Sequence, residues 1–298
     1  MTPVVQVEHV TRRYRGNLAL DDVSFAVEGG TITGLLGRNG AGKTTVMRVI
    51  AAQEFASAGG VRVFGENPVE NDSVLRRMMF VKESQIYPEV TVAHVVRGAS
   101  WFCPNWDAEF AERLLADFAL PTSRRVRKLS RGMISALGIV LGLASRAELT
   151  IFDEPCAGLD APARQLFYDH LLADHVEQPR TVLLSTHLID EAAKLLERVV
   201  VIDHGRIKID ADIDDIRGSA VQIAGAARAV DAFTAGRQTW DRRRIGSLVS
   251  VTVAGPLDGT DRAETQALDL DVSPVPLQQL LVHSDSVTAG PVTEGKES

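Results

Sequence analysis

Cysteine is almost absent from this 298-residue chain, with Cys103 and Cys156 the only two. Two thiols without metal-ligand spacing exclude a disulfide framework and point to a reducing cytoplasm. Long apolar runs are also missing. The best stretch, Ile134 to Ala144, is interrupted by Gly138 and Gly142 and falls short of the roughly 18 to 20 residues that cross a bilayer, so no membrane span is expected. The first residues, Met-Thr-Pro-Val-Val-Gln-Val-Glu, hold neither a basic region nor the apolar core of a signal peptide, so the protein is expected to stay where it is made. Positive charge is not in excess: 32 basic residues against 39 acidic ones leave a formal charge of -7. Such a balance repels nucleic-acid phosphates, and a dedicated nucleic-acid partner is not expected.

What is present is ordinary globular composition, 45% apolar and 24% charged, enough to bury a sizeable core. The length fits a main domain with a small appendage. Val4 to Val10, Leu18 to Val27 and Thr31 to Leu36 are rich in branched residues and broken by Gly16, Gly29 and Gly30, which predicts strands. Thr44 to Ala52 reads as a helix and Val61 to Phe64 as a strand. A helical stretch from Val92 to Leu120 carries Trp101, Phe102 and Trp106, which either fill its core or face a partner. Leu149 to Phe152 and Thr181 to Ser185 read as buried strands flanking a helix from Ala163 to His175, the grammar of a βαβ unit. A hairpin over Val199 to Ile209 closes the main domain near residue 215. Beyond it, strands at Val221 to Ile223 and Leu248 to Val253, with helices near Ala226 to Ala235 and Arg262 to Ala267, suggest a small α+β unit over 216–284. Residues 285–298 are expected to form a disordered tail.

Three groups of residues carry chemistry. Gly37-Arg38-Asn39-Gly40-Ala41-Gly42-Lys43-Thr44, followed by Thr45, matches the loop in which glycines turn backbone N–H groups onto a polyphosphate, with Lys43 meeting the β and γ phosphates and Thr44 holding Mg²⁺. It lies between a strand and a helix, as that mechanism requires. Asp153 and Glu154 end a buried strand, where Asp153 would reach the metal and Glu154 would orient or deprotonate a water. Ser130, in Leu129-Ser130-Arg131-Gly132-Met133, stands as N-cap of an apolar helix whose free N–H groups suit a phosphate oxygen. Two basic groups, Arg124 to Lys128 and Arg242 to Arg244, read as solvated loops, with added attraction for nucleotide as the alternative.

In this order, with Ala157-Gly158-Leu159-Asp160 and Ser185-Thr186-His187, the set resembles the ABC ATPases over residues 3 to 215, and in particular the ATPases of ABC-2-type exporters. The resemblance implies an α/β P-loop NTPase of ABC type with an inserted helical subdomain, an N-terminal antiparallel β subdomain and the C-terminal appendage. It implies that Ser130 and Gly132 contact a γ-phosphate held by the opposite subunit, that Glu154 is the general base, His187 the γ-phosphate switch and Asp160 the link between two sites. Tyr14 is implied to stack on adenine. The metal-sensing glutamine of the family aligns on Glu83, with Gln85 two residues later as the alternative. Arg131 and Met133 replace the usual glycine and glutamine. Domain 1–215 is then an ATP- and Mg²⁺-dependent ATPase working as a homodimer or heterodimer beneath an integral membrane permease, cytoplasmic and peripheral on the inner face of the membrane. Rival readings are a ribosome- or DNA-acting ABC protein, which would need two halves or a coiled coil absent here, and a poorly hydrolysing regulator.

Overall fold

Runs of branched residues broken by glycine build three sheets in the computed structural model, which describes residues 3–83 and 85–281. The expected tail at 285–298 lies outside the described residues. The chain divides into two compact units, Met1–Asp210 and Ala211–Ser298.

The first unit opens with β1 (Pro3–Tyr14) and β2 (Asn17–Glu28) as an antiparallel pair, followed by β3 (Ile32–Leu36), α1 (Lys43–Ile50) and β4 (Ala58–Val63). Strand β4 joins β1 on its other edge, so that Val5 pairs with both Val27 and Val63 in a three-stranded antiparallel sheet. Then come α2 (Asp72–Leu75), β5 (Met78–Val81), α3 (Val92–Phe102), α4 (Ala108–Asp117) and α5 (Arg131–Ala144). The chain returns through β6 (Leu149–Asp153), α6 (Ala161–Glu177), β7 (Thr181–Thr186), α7 (Ile189–Ala192), β8 (Arg198–Asp203) and β9 (Arg206–Asp212).

Six strands form the central sheet in the order β5-β6-β7-β3-β8-β9, parallel from β5 through β8. Every residue of β3, β6 and β7 is buried, as expected for strands covered on both faces. Strand β5 has no clear sequence signal because it is four residues long and sits at the sheet edge. Residues Ala136 to Ala144 of α5 are buried continuously, so the C-terminal part of this helix is enclosed on all sides, while its start is not. The helical stretch is tied to α6 by a buried ion network. Asp107, N-cap of α4, and Asp174 of α6 both pair with Arg146, and Asp174 also pairs with Arg180 at 2.5 Å. Burial, reinforced by the neighbouring Arg146 charge, lowers the Arg180 pKa to about 10.

The structure decides between the two alternatives left open for the aromatic stretch. Trp101 and Phe102 do not fill the helical core, since their exposures are 74% and 79%. Part of the basic run is a 3₁₀ turn, Val126–Lys128, and Arg124, Arg125, Arg127 and Lys128 are exposed, as expected of a solvated stretch.

The second unit runs α8 (Ile213–Arg217), β10 (Ala220–Ala226), α9 (Ala227–Thr234), β11 (Thr239–Ile245), β12 (Leu248–Ala254), α10 (Gly259–Ala267) and β13 (Asp271–Pro274). From β10 onward this is a β-α-β-β-α-β chain whose sheet order, β11-β12-β10-β13, is that of a split βαβ fold, antiparallel throughout. Ile223, Val249, Val251 and Val253 alternate onto one face and pack with Val230 and Phe233 of α9. Arg242 to Arg244, expected in a loop, belong to β11 at the sheet edge. Charged residues there blunt the exposed strand against pairing with another chain. Among the described residues, no helix is long and apolar enough to cross a membrane.

Candidate functional site

Strand β3 ends at Leu36, and the next six residues turn the chain into α1. Gly37, Gly40 and Gly42 all adopt positive φ, and Gly42 is the left-handed N-cap of α1. Gly37 has a packing reason as well: a Cβ there would stand 2.2 Å from the Ile202 carbonyl oxygen. Helix α1 starts with no side-chain cap and no acid in its first turn, which leaves its N–H groups and positive dipole end for an anion. Lys43 is 6% exposed, and its Nζ donates to the carbonyls of Gly37 (2.7 Å) and Arg38 (3.3 Å) and lies 3.5 Å from Glu154 Oε1.

Register in the central sheet places the acids. Asp153 at the end of β6 is directly opposite Ser185 of β7. The Ser185 hydroxyl donates to Asp153 Oδ1 (2.9 Å) and accepts from the Glu154 N–H (3.0 Å), while Thr44 Oγ1 donates to the same Asp153 oxygen (3.1 Å). Burial raises the Asp153 pKa; the hydrogen bonds from Ser185 and Thr44 oppose this, and the Glu154 charge adds to it. Glu154 has φ 49°, a left-handed conformation that is costly for a residue with a side chain. Its Oε2 accepts from the His187 backbone N–H (3.3 Å) and faces His187 Nδ1 at 2.7 Å. With the carboxylate ionised, Nδ1 is the proton donor. Glu154 Oε1, buried and near Lys43, has no hydrogen-bond partner among the described residues.

These groups border a cleft of about 750 Å³ whose wall includes Tyr14, Arg38, Asn39, Gly40, Gly42, Lys43, Thr44, Thr45, Glu83 and Glu154. Asp153 and His187 join it through Thr44 and Glu154. Tyr14 hydrogen-bonds Glu54, and the Arg12 guanidinium covers its ring at 4.6 Å from the centroid. Glu83 lines the cleft and Gln85 does not, although Gln85 Oε1 is buried without a partner among the described residues. Sequence reasoning did not single out Asn17, Leu18, Ala19, His204 or Gly205, which complete the wall. Their signal is tertiary: the β8–β9 turn reaches the loop where the Gly205 N–H donates to the Ala41 carbonyl at 2.9 Å. Ser185 was visible only as part of a motif, without its bonds to the acids.

Ser130, Gly132 and Asp160 are outside this cleft. Ser130 caps α5, accepting from the Met133 N–H at 3.2 Å, and Asp160 caps α6, accepting from the Ala163 N–H at 3.0 Å. The two starts are packed together. Ser135 Oγ donates to the Ala157 carbonyl at 2.5 Å, and a Cβ on Gly132 would fall 2.5 Å from the Gly158 carbonyl oxygen.

The donor set near Lys43 fits one kind of metal. Among the described residues there is no group of three or more His, Cys, Asp or Glu able to hold an ion by themselves. One hydroxyl and one buried carboxylate, hydrogen-bonded to each other, suit a hard cation that takes most of its oxygens from phosphates and water, as Mg²⁺ does.

The family model described as ABC transporter matches residues 20–157. The chain is 33% identical over 214 residues to the Nod factor export ATP-binding protein I of Cupriavidus metallidurans, covering 69% of this chain and 70% of that one. It is 33% identical over 225 residues to the doxorubicin resistance ATP-binding protein DrrA of Mycobacterium tuberculosis, covering 72% and 68%. The ABC transporter ATP-binding protein YtrB of Bacillus subtilis is 27% identical over 221 residues, covering 74% and 76%. A solved ATP-binding subunit of an ABC transporter superposes with a TM-score of 0.65 at 27% identity, over 72% of this chain and 92% of that one.

Proposed function

The chain belongs to the ATP-binding subunits of ABC transporters, and from that premise we propose that it hydrolyses ATP in the Lys43 cleft to drive export through a separate membrane permease. The observation that carries the reading is the meeting of Lys43 Nζ and Glu154 at 3.5 Å beside an Asp153 carboxylate held by Thr44 and Ser185. Export as the direction draws support from the names of the Nod factor and doxorubicin-resistance relatives. The substance moved is a property of the permease.

The uncapped N-terminus of α1 and the loop N–H groups bind the phosphates, and Lys43 exchanges its carbonyl partners for the β and γ oxygens. Thr44 and Asp153 would hold Mg²⁺, assisted by Glu83 or Gln85, and the ion when bound neutralises charge on those oxygens. Glu154 orients and deprotonates the attacking water through Oε1, the oxygen with no hydrogen-bond partner among the described residues. His187 holds Oε2 through Nδ1, so its Nε2 donates to a γ-phosphate oxygen only as imidazolium. Tyr14, at the cleft wall, receives the adenine.

Ser130, Gly132 and Asp160 lie outside the cleft they are expected to serve. In the reading proposed here two ATPase subunits, alike or different, close head to tail, and each Ser130 helix start covers the nucleotide of the other. The exposed Trp101 and Phe102 offer an apolar face to the permease.

Two substitutions test this together. Lys43→Ala removes Mg²⁺-dependent ATP binding, measured by calorimetry, and Glu154→Gln keeps binding while turnover falls about a thousandfold and an ATP-dependent dimer accumulates on size exclusion. Normal hydrolysis by Glu154→Gln would take that residue out of the mechanism.

A further inference from the structure

Arg131 joins three segments of the chain. Its backbone lies between Ser130 and Gly132 at the start of α5, and its methylene stem lies over Gly158, where an added Cβ would meet Arg131 Cγ at 3.0 Å and Cδ at 3.3 Å. Its guanidinium crosses to the segment after β5, where Nη2 donates to Glu83 Oε1 at 2.6 Å. Glu83 is also part of the cleft wall that contains Lys43, Thr44 and Glu154. One side chain therefore joins the wall of the nucleotide cleft to the helix start that lies outside it.

Most exposed ion pairs do little, because solvent screens them and two long side chains must be ordered. This one differs in that the arginine stem is already laid down on Gly158, so less freedom is lost when the head pairs. Its acceptor oxygen also has a second suitor. A carboxylate that gives Oε1 to a guanidinium gives that oxygen less readily to a cation on the nucleotide.

We propose that Arg131 is a positioning residue that competes with the divalent cation of bound nucleotide for Glu83, so that cation–ATP binding and the Glu83–Arg131 pair oppose one another. This rests on the reading that Mg²⁺–ATP occupies the Lys43 cleft. Loading the cleft draws Glu83 toward the cation and frees the guanidinium beside Ser130, at the surface the closing partner approaches. Arg131 thus reports the state of one subunit's cleft to the helix start that serves the other.

The test measures ATP binding by calorimetry across a Mg²⁺ titration, in a Glu154→Gln background that stops turnover. Arg131→Gln lowers the Mg²⁺ concentration for half-maximal binding by about two- to fivefold at low salt, the range an exposed pair supports. The difference closes at about 0.5 M NaCl, where such pairs are screened. Arg131→Lys, which keeps the charge, stays near the parent, and ATP binding in EDTA is the same in all variants. In a Glu83→Gln background, Arg131→Gln has no further effect. The proposal is overturned if Arg131→Gln leaves the Mg²⁺ titration unmoved, if its effect survives high salt, or if it adds fully to Glu83→Gln. Absence of any Mg²⁺ dependence in the parent protein would instead remove the cleft reading on which the proposal stands.

Discussion

The Lys43 cleft and the Ser130 helix start are both suited to phosphate, and they are built by opposite means. Around Lys43 the groups are buried and cross-braced: Lys43 and Asp153 are 6% and 3% exposed, and Asp153 accepts two hydroxyl hydrogen bonds. Around Ser130 the surface is open, the Arg131 side chain is 72% exposed, and the anion-seeking groups are backbone N–H groups at the start of α5. A buried constellation is complete within one subunit and is locked by its own hydrogen bonds. An exposed helix start has free N–H groups but no enclosure, and on the proposed reading the second subunit supplies that.

The sharpest break of this comparison is Gly132→Val. A Cβ there meets the Gly158 carbonyl at 2.5 Å, so the helix start and the Asp160 loop must separate. Turnover should fall about a hundredfold, as on losing an electrostatic stabiliser, while ATP affinity of the isolated subunit at saturating Mg²⁺ stays within about twofold. An equal fall in affinity, measured by calorimetry, would mean that the two regions are not separable. A smaller effect is expected inside the cleft. Ser185→Ala removes one donor to Asp153 and one acceptor for the Glu154 N–H, at about tenfold in kcat, the worth of a hydrogen bond to a charged group. Ser185→Thr, which keeps the hydroxyl, should recover most of it, and an unchanged kcat in the alanine variant would count against the bracing.

The smallest expected effect concerns stability. Because burial raises the Asp153 pKa, folding disfavours its charged form, and that cost is present at neutral pH and disappears as the pH falls through the raised pKa. Asp153→Asn should therefore raise the thermal unfolding temperature of the metal-free protein at neutral pH. The gain should shrink in acid, and Mg²⁺-dependent ATP affinity should be lost at every pH. Equal melting temperatures at neutral pH in EDTA would show that Ser185 and Thr44 fully offset the burial.

Much of the cleft is readable because its chemistry is contiguous. Gly37 to Thr44 are one continuous run from a loop into the start of α1, and Asp153-Glu154 stand at the end of one uniformly buried strand. The bracing by Ser185 is not readable that way, since its partner is 32 positions distant and meets it only because β6 and β7 run in register. The same holds for Arg131 and Glu83, 48 positions apart. Trp101 and Phe102 sit in a helical pattern, and periodicity identifies a face without saying whether anything covers it. Strand β11 was missed because its edge position favours charged residues that read locally as loop.

The sequence by itself determined that a polyphosphate loop, a pair of acids and a capped helix start occur in one α/β chain, because each is a short run whose backbone and side-chain chemistry is local. Tertiary structure alone decided which of them share a cleft, which face outward, and that Arg131 bridges the two. Those are matters of strand register and helix packing, where residues far apart in the chain meet through burial of the surfaces between them.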